Sequence, residues 1–273
     1  MVRPLLLTAV YLCGSDDAGS ISRQGFARRR HSPPLAKNGH AKMKLTTFYI
    51  AHRGPTIKAE NFPNRWNQHS ALFASFNLEK APYTSGNYLL IERGPDFEPV
   101  VKCGFVGISI MTLDDLQAVK WFGDKYRDAI KKMKVDEAEA FGGDIDLTTC
   151  YGDRHVVVAS PRTGFALILL RQRKPEISDP EFHAVWMDHV QRILALVDGD
   201  SYPSHVAHTR VTQFATPAVE YSGMTEFWFK SMDDVHACMA AMDNAGFAAA
   251  ETKWIIPARS VTIPTSLVKK NTL

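Results

Sequence analysis

Residues 45–52 are rich in Leu, Thr, Phe, Tyr and Ile, side chains that suit a pleated strand, and Gly54-Pro55 ends the run. The period then changes. Phe62, Trp66 and His69 lie four and three apart, which puts them on one face of a helix predicted over 58–76. Residues 87–92 and 104–112 are apolar and β-branched enough for two more strands. Asp114 and Asp115 then open a second helix, where acids meet the positive end of the helix dipole. Strand segments at 144–150 and 154–159 close the unit around a Gly152-Asp153 turn.

The same order returns further along. Residues 165–171 form a strand, and Ser178-Asp179-Pro180-Glu181 starts a helix that runs to about 197. Ser178 is the cap, Pro180 sits in the first turn, and Glu181 falls three residues after the cap. Strands follow at 204–213 and 224–230, Ser231-Met232-Asp233-Asp234 opens another helix, and 253–256 begins the last strand.

The likeness is literal. Residues 164–192 repeat 44–72 at an offset of 120, pairing Pro55 with Pro175, Phe62 with Phe182, Trp66 with Trp186 and His69 with His189. A second match, at an offset of 119, lays 104–116 over 223–235. Phe141-Gly142-Gly143 aligns with Phe247-Ala248-Ala249, so the first copy has about a dozen extra residues, placed at 123–134 as helix. The expected division is an N-terminal extension over 1–42, a first repeat over 43–160 and a second over 161–273. Each β-α-β-β-α-β repeat makes a four-stranded antiparallel sheet with both helices on one face. The fold class is therefore α+β, two tandem ferredoxin-like repeats whose bare apolar sheet faces bury each other within one chain.

These residues resemble the EthD family of dimeric α+β barrels. The family's strand ending in Lys-x-Pro and its helical Phe-x-x-x-Trp-x-x-His are similar to Lys174-Pro175, Phe182, Trp186 and His189. Phe62, Trp66 and His69 match too, with Gly54-Pro55 in place of Lys-Pro, and 223–234 is similar to a later family stretch. The resemblance covers about 44–265 and implies the barrel fold. It does not fix a reaction, because such barrels include cyclases and dehydratases, cofactor-free oxygenases, isomerases and accessory proteins.

Charge changes the picture only at the start. Residues 1–42 hold seven Lys/Arg against two acids, +5, so the overall +3 leaves −2 for the rest. That segment, with Arg28-Arg29-Arg30 and Ser32-Pro33-Pro34, has no periodicity and is expected to be disordered or an artefact preceding a start at Met43. The near-neutral body gives no reason for nucleic-acid or membrane partners. Cys103, Cys150 and Cys238 are scattered, as in a reduced cytoplasmic protein. No His/Cys spacing marks a metal site and no glycine loop marks a phosphate, so neither metal nor cofactor is expected.

The chemistry then rests on acids and bases. His69 is the first candidate catalyst, beside Trp66, with His189 and Trp186 as its counterparts; the other reading makes the Phe-Trp-His face a shared scaffold. On the strand at 204–213, His208 and Arg210 face one side and suit an oxyanion, with Tyr83 in the corresponding region of the first repeat. Asp146 and Tyr151 are candidates on the closing strand of repeat one. Glu226, if inward among Phe227, Trp228 and Phe229, is expected to be a base of raised pKa. The expectation is a lyase, dehydratase or cyclase that handles an aromatic or polyketide-like molecule by acid–base chemistry. The alternatives are an oxygenase of the same barrel type, cofactor-free or with haem, and a non-catalytic binding protein. A homodimer is a further expectation. If one half-site is active, repeat one is the expected one.

Overall fold

A computed structural model describes residues 44–76, 83–91, 105–113, 124–143, 149–162, 164–214 and 221–271. The first repeat contributes β1 (Lys44–His52), α1 (Phe62–Ser75), β2 (Tyr83–Ile91), β3 (Phe105–Leu113), α2 (Arg127–Phe141) and β4 (Thr149–Val158). The second contributes β5 (Phe165–Arg171), α3 (Asp179–Leu194), β6 (His205–Phe214), β7 (Gly223–Phe229), α4 (Met232–Asn244), α5 (Phe247–Glu251) and β8 (Val261–Asn271). Ser178 caps α3 through the Glu181 amide, and Ser231 caps α4 through Asp234, as their sequences dictate.

The eight strands form one closed antiparallel barrel in the order β1-β3-β2-β8-β5-β7-β6-β4, with β4 returning to β1. The repeats do not simply lay two separate sheets face to face. They join edge to edge: Asn87 pairs with Lys270 on the β2–β8 seam, and His155 pairs with His208 on the β4–β6 seam. Each edge strand of one repeat meets one of the other, so every described strand is paired on both sides. Among the described residues no strand leaves a free edge for a second chain to extend.

Alternation along the strands sorts the side chains. Phe48, Ile50, Ile108, Ile110, Cys150, Ala166, Ile168, Met224 and Trp228 point inward and form one core drawn from both repeats. The outward positions meet the helices in two further cores, one around Phe62, Trp66 and Phe141, the other around Phe182, Trp186, Phe227 and Trp254. Close packing of each tryptophan depends on a glycine beneath it. A Cβ on Gly107 would lie 2.2 Å from Trp66 Cζ3, and one on Gly223 would lie 2.7 Å from Trp186 Cζ3.

Several sequence expectations shift. Ala51 pairs with Gly107 and Arg171 with Gly223, so β3 and β7 correspond at an offset of 116 rather than 119. Gly152-Asp153 makes no turn, because β4 runs unbroken through both residues. Gly152 is instead a point of close approach, where a Cβ would sit 2.1 Å from the Arg210 carbonyl oxygen beside a register shift between β4 and β6. Residues 253–256 belong to the turn before β8, and Trp254 there packs into the helix-side core. Most of the extra segment at 123–134 is the front of α2. Asp114, Asp115 and Asp144 lie outside the described residues.

Gly107→Ala is expected to destabilise the protein by about 1–3 kcal/mol, and Gly223→Ala by less, because the added methyl overpacks each indole. Urea unfolding of the two variants measures this.

Candidate functional site

Both repeats build the same frame under their first helix. Arg53 donates to the Ile57 carbonyl and Arg173 to the Ile177 carbonyl, each pinning the strand-to-helix turn. Gly54 N donates to Ala140 O (3.0 Å) and Lys174 N to Trp254 O (3.2 Å). The glycine is required at 54, where a Cβ would lie 2.0 Å from the Glu139 carbonyl oxygen.

The shared histidines are tied down by carboxylates from elsewhere in the fold. His69 Nδ1 lies 2.7 Å from Asp136 Oδ2, and Arg65 Nη2 is 2.6 Å from Asp136 Oδ1. His189 Nε2 lies 2.8 Å from Glu251 Oε1, which also meets Arg171 Nε at 3.1 Å. Phe141 and Phe247, the residues aligned by sequence, pack on the two imidazoles at 4.9 and 4.5 Å. Burial lowers the His69 pKa despite Asp136. Burial would raise Asp136 and Glu251, but hydrogen bonds from Arg65 and His69, and from His189 with Arg171, hold both below the usual carboxylate range. Each carboxylate thus anchors a buried histidine that fastens helix to helix.

The repeats differ beside the tryptophan. Trp66 Nε1 donates to Tyr49 Oη at 3.2 Å. Leu169 occupies the corresponding position in repeat two, and Trp186 Nε1 is buried without a hydrogen-bond partner. Next to it stands a chain of polar groups. The His208 ring packs at 4.7 Å from Trp186. His208 Nδ1 lies 3.1 Å from Thr225 Oγ1, its Nε2 3.2 Å from His183 Nδ1, and His183 Nε2 3.3 Å from Asp179 Oδ1. Arg210 completes the chain at Asp179, whose side chain is 36% exposed.

One carboxylate orients this entire chain. Asp179 Oδ1 stands 3.3 Å from His183 Nε2 and favours the proton on that nitrogen, which leaves His183 Nδ1 to accept from His208 Nε2–H. His208 Nδ1 then accepts the Thr225 hydroxyl proton. Burial pushes the His208 pKa down to about 3 and the His183 pKa down to about 4, so both rings are neutral at pH 7. The corresponding positions in repeat one are Ala59 for Asp179, Pro63 for His183 and Leu90 for Arg210.

Of the sequence candidates, Trp186, His208 and Arg210 come together here. His189 lies one turn further along α3, held by Glu251. His69 and Trp66 lie under α1 in the other repeat. Tyr151 pairs with Thr47 on the outward face of β4, and Tyr83 begins β2. Asp146 lies outside the described residues. Glu226 points inward as conceived, but the expected rise in pKa is reversed. Burial alone would raise it, while Arg154 and Arg162 outweigh burial and keep the carboxyl ionised. The sequence reading passed over His183, Asp179 and Thr225. The signal for His183 was its i, i+4 spacing from Asp179 within the helix start.

Comparison with known proteins fits this frame. Residues 174–254 match the model of the EthD domain. The second repeat is thus similar to an EthD domain over most of its length. A provisional monooxygenase from Fusobacterium nucleatum subsp. nucleatum superposes with a TM-score of 0.54 at 11% identity, covering 84% of this chain and 94% of that one. An anthrone oxidase-like protein superposes with a TM-score of 0.58 at 8% identity, covering 85% and 94%. At such identities the likeness is one of fold. No curated protein sequence matches the chain. The EthD match contains Asp179, His183, Trp186, His208, Arg210 and Thr225. Among the described residues no group of His, Cys, Asp and Glu could hold a metal ion, and no helix is long and apolar enough to cross a membrane.

The two depressed histidines make stability pH-dependent. Unfolded, each takes up a proton near pH 6.5, whereas the folded rings resist protonation down to about 3 and 4. Stability should fall as pH drops from about 6.5 towards 3, and His208→Gln should flatten that slope in thermal melts across the range.

Proposed function

We propose that the chain is an enzyme whose second, EthD-type repeat moves a proton at a small aromatic or polyketide-like molecule without a cofactor. The unpaired indole N–H of Trp186 carries this reading. Leaving a buried donor unsatisfied costs about 1–3 kcal/mol, a cost that a ligand oxygen would remove. Repeat one has no such opening, because Tyr49 already fills it.

A carbonyl or phenol oxygen on Trp186 Nε1 places the substrate beside the Thr225–His208–His183–Asp179 chain. A proton leaving the substrate for Thr225 Oγ1 sends the hydroxyl proton to His208 Nδ1. Each ring then passes its own N–H proton onward until Asp179 holds it. Negative charge meanwhile grows on the substrate oxygen, which the indole N–H stabilises. Arg210 steadies Asp179 at the exposed end. The resulting enolate can expel water, close a ring or be reprotonated elsewhere, which makes a lyase, dehydratase, cyclase or isomerase. This assigns the active half to repeat two. In the same reading His69 and His189 are structural anchors.

A second reading shares the deprotonation and differs afterwards. Both structures compared above bear oxygenase-type names, and a stabilised aromatic carbanion is also what reacts with dioxygen. Anthrone and 1-naphthol serve as probes, followed by absorbance and by oxygen uptake. Consumption without oxygen uptake supports the first reading, and matched uptake the second.

Trp186→Phe keeps the ring and removes the donor. It should lower turnover about 100-fold while leaving stability unchanged or raised. Trp66→Phe should cost about 1 kcal/mol of stability through the lost Tyr49 bond and leave turnover intact. Full activity in Trp186→Phe would sink the assignment.

A further inference from the structure

The inner face of the barrel holds a second cluster, on the opposite side of β7 from Thr225 and His208. Glu226 faces inward with Ile168 and Ala207, its register partners, and is fully buried. Its Oε2 accepts from Trp228 Nε1 at 2.7 Å and lies 3.5 Å from Arg162 Nε, while its Oε1 lies 2.8 Å from Arg154 Nη2. Arg154 Nη2 also lies 3.1 Å from His205 Nε2, and His205 Nδ1 is 2.8 Å from the Ser160 carbonyl oxygen. Arg162 stacks over Trp228 at 5.8 Å and is 13% exposed, which puts it at the rim.

Charge and hydrogen bonding are both left over here. Two guanidinium groups face one carboxylate, and burial together with the two arginines disfavours a proton on His205. Arg154 Nη1 is buried without a hydrogen-bond partner, although its side chain is only 3% exposed. Thr209, directly opposite Arg154 on β6, and Thr46, opposite Gly152 on β1, also have buried, unpartnered hydroxyls on this inner face. A net positive charge inside an apolar barrel requires an anion. An arginine fork with a free edge, beside hydroxyl donors, matches the planar geometry of a carboxylate.

We infer that the barrel interior binds a small monoanionic carboxylate on Arg154 Nη1, with Arg162 guarding the way in. The carboxylate and Glu226 then share the two guanidinium groups. The site is separate from the Trp186 seam, since adjacent residues of β7 face the two sites from opposite sides of the sheet.

Trp228 provides the readout, because its ring and N–H both belong to the cluster. Sodium acetate is titrated into the full-length protein at fixed ionic strength, with sodium chloride as reference. Tryptophan fluorescence and the melting temperature are followed. Acetate should shift both at millimolar concentration, well beyond chloride, and Arg154→Gln should abolish the difference. Equal responses to acetate and chloride, or an unchanged response in Arg154→Gln, would overturn the inference. Should Arg154→Gln fail to fold, Glu226→Gln and Arg162→Gln decide. Removing the competing carboxylate should tighten acetate binding about tenfold, and removing the rim guanidinium should weaken it severalfold. Unchanged affinity in both variants overturns the site.

Discussion

Barrel closure is the constraint on which the rest of this molecule depends. A single β-α-β-β-α-β repeat leaves two strand edges and one apolar sheet face exposed. Pairing β2 with β8 and β4 with β6 removes all four edges at once. It also encloses Phe48, Ile110, Ile168 and Trp228 in one interior to which both repeats contribute. Because the two repeats share a chain, closure occurs at a fixed stoichiometry. The helices are left outside, so each sheet has a helix-covered seam and a common interior. Both groups of unsatisfied polar atoms described above lie in one or other of these spaces.

Duplication supplied two equal seams, and substitution made them unequal. The frame is kept: an arginine at the strand exit, a tryptophan over a glycine, and a histidine held by a carboxylate. The carboxylates themselves are not repeated. Asp136 comes from α2, five residues before Phe141, whereas Glu251 follows Phe247 on α5. Two different solutions to the same need indicate that anchoring the histidine matters to the scaffold. The unequal positions are Tyr49 against Leu169, Pro63 against His183 and Ala59 against Asp179. Repeat one closes its indole with a hydroxyl; repeat two leaves it open beside a polar chain.

The buried ionic groups fit a common pattern. Glu226, Glu251 and Asp136 are each held ionised by arginine, and every one lies far in sequence from its partner. Breaking such a pair leaves an uncompensated charge, so these contacts fix geometry more than they add stability. Arg154 and Glu226 tie the closing strand of one repeat to a central strand of the other.

The sequence alone determined the repeat, the order of elements, the helix caps at Ser178 and Ser231, and the α+β barrel class. These follow from local periodicity and from matches at a constant offset. It also singled out Trp186, His208, Arg210 and Glu226. Its errors have physical causes. Gly152 resembled a turn because a glycine required by a neighbouring strand's carbonyl looks the same in sequence as one required by a bend. Matching at 119 instead of 116 came from following the acidic helix starts, while the strands are registered by the glycines under the tryptophans. Only the tertiary structure decided which repeat has an unpaired indole, which carboxylate reaches which histidine, and that Glu226 meets two arginines. Those facts depend on through-space contacts between residues as far apart as Arg154 and Glu226, whose separation along the chain carries no period to read.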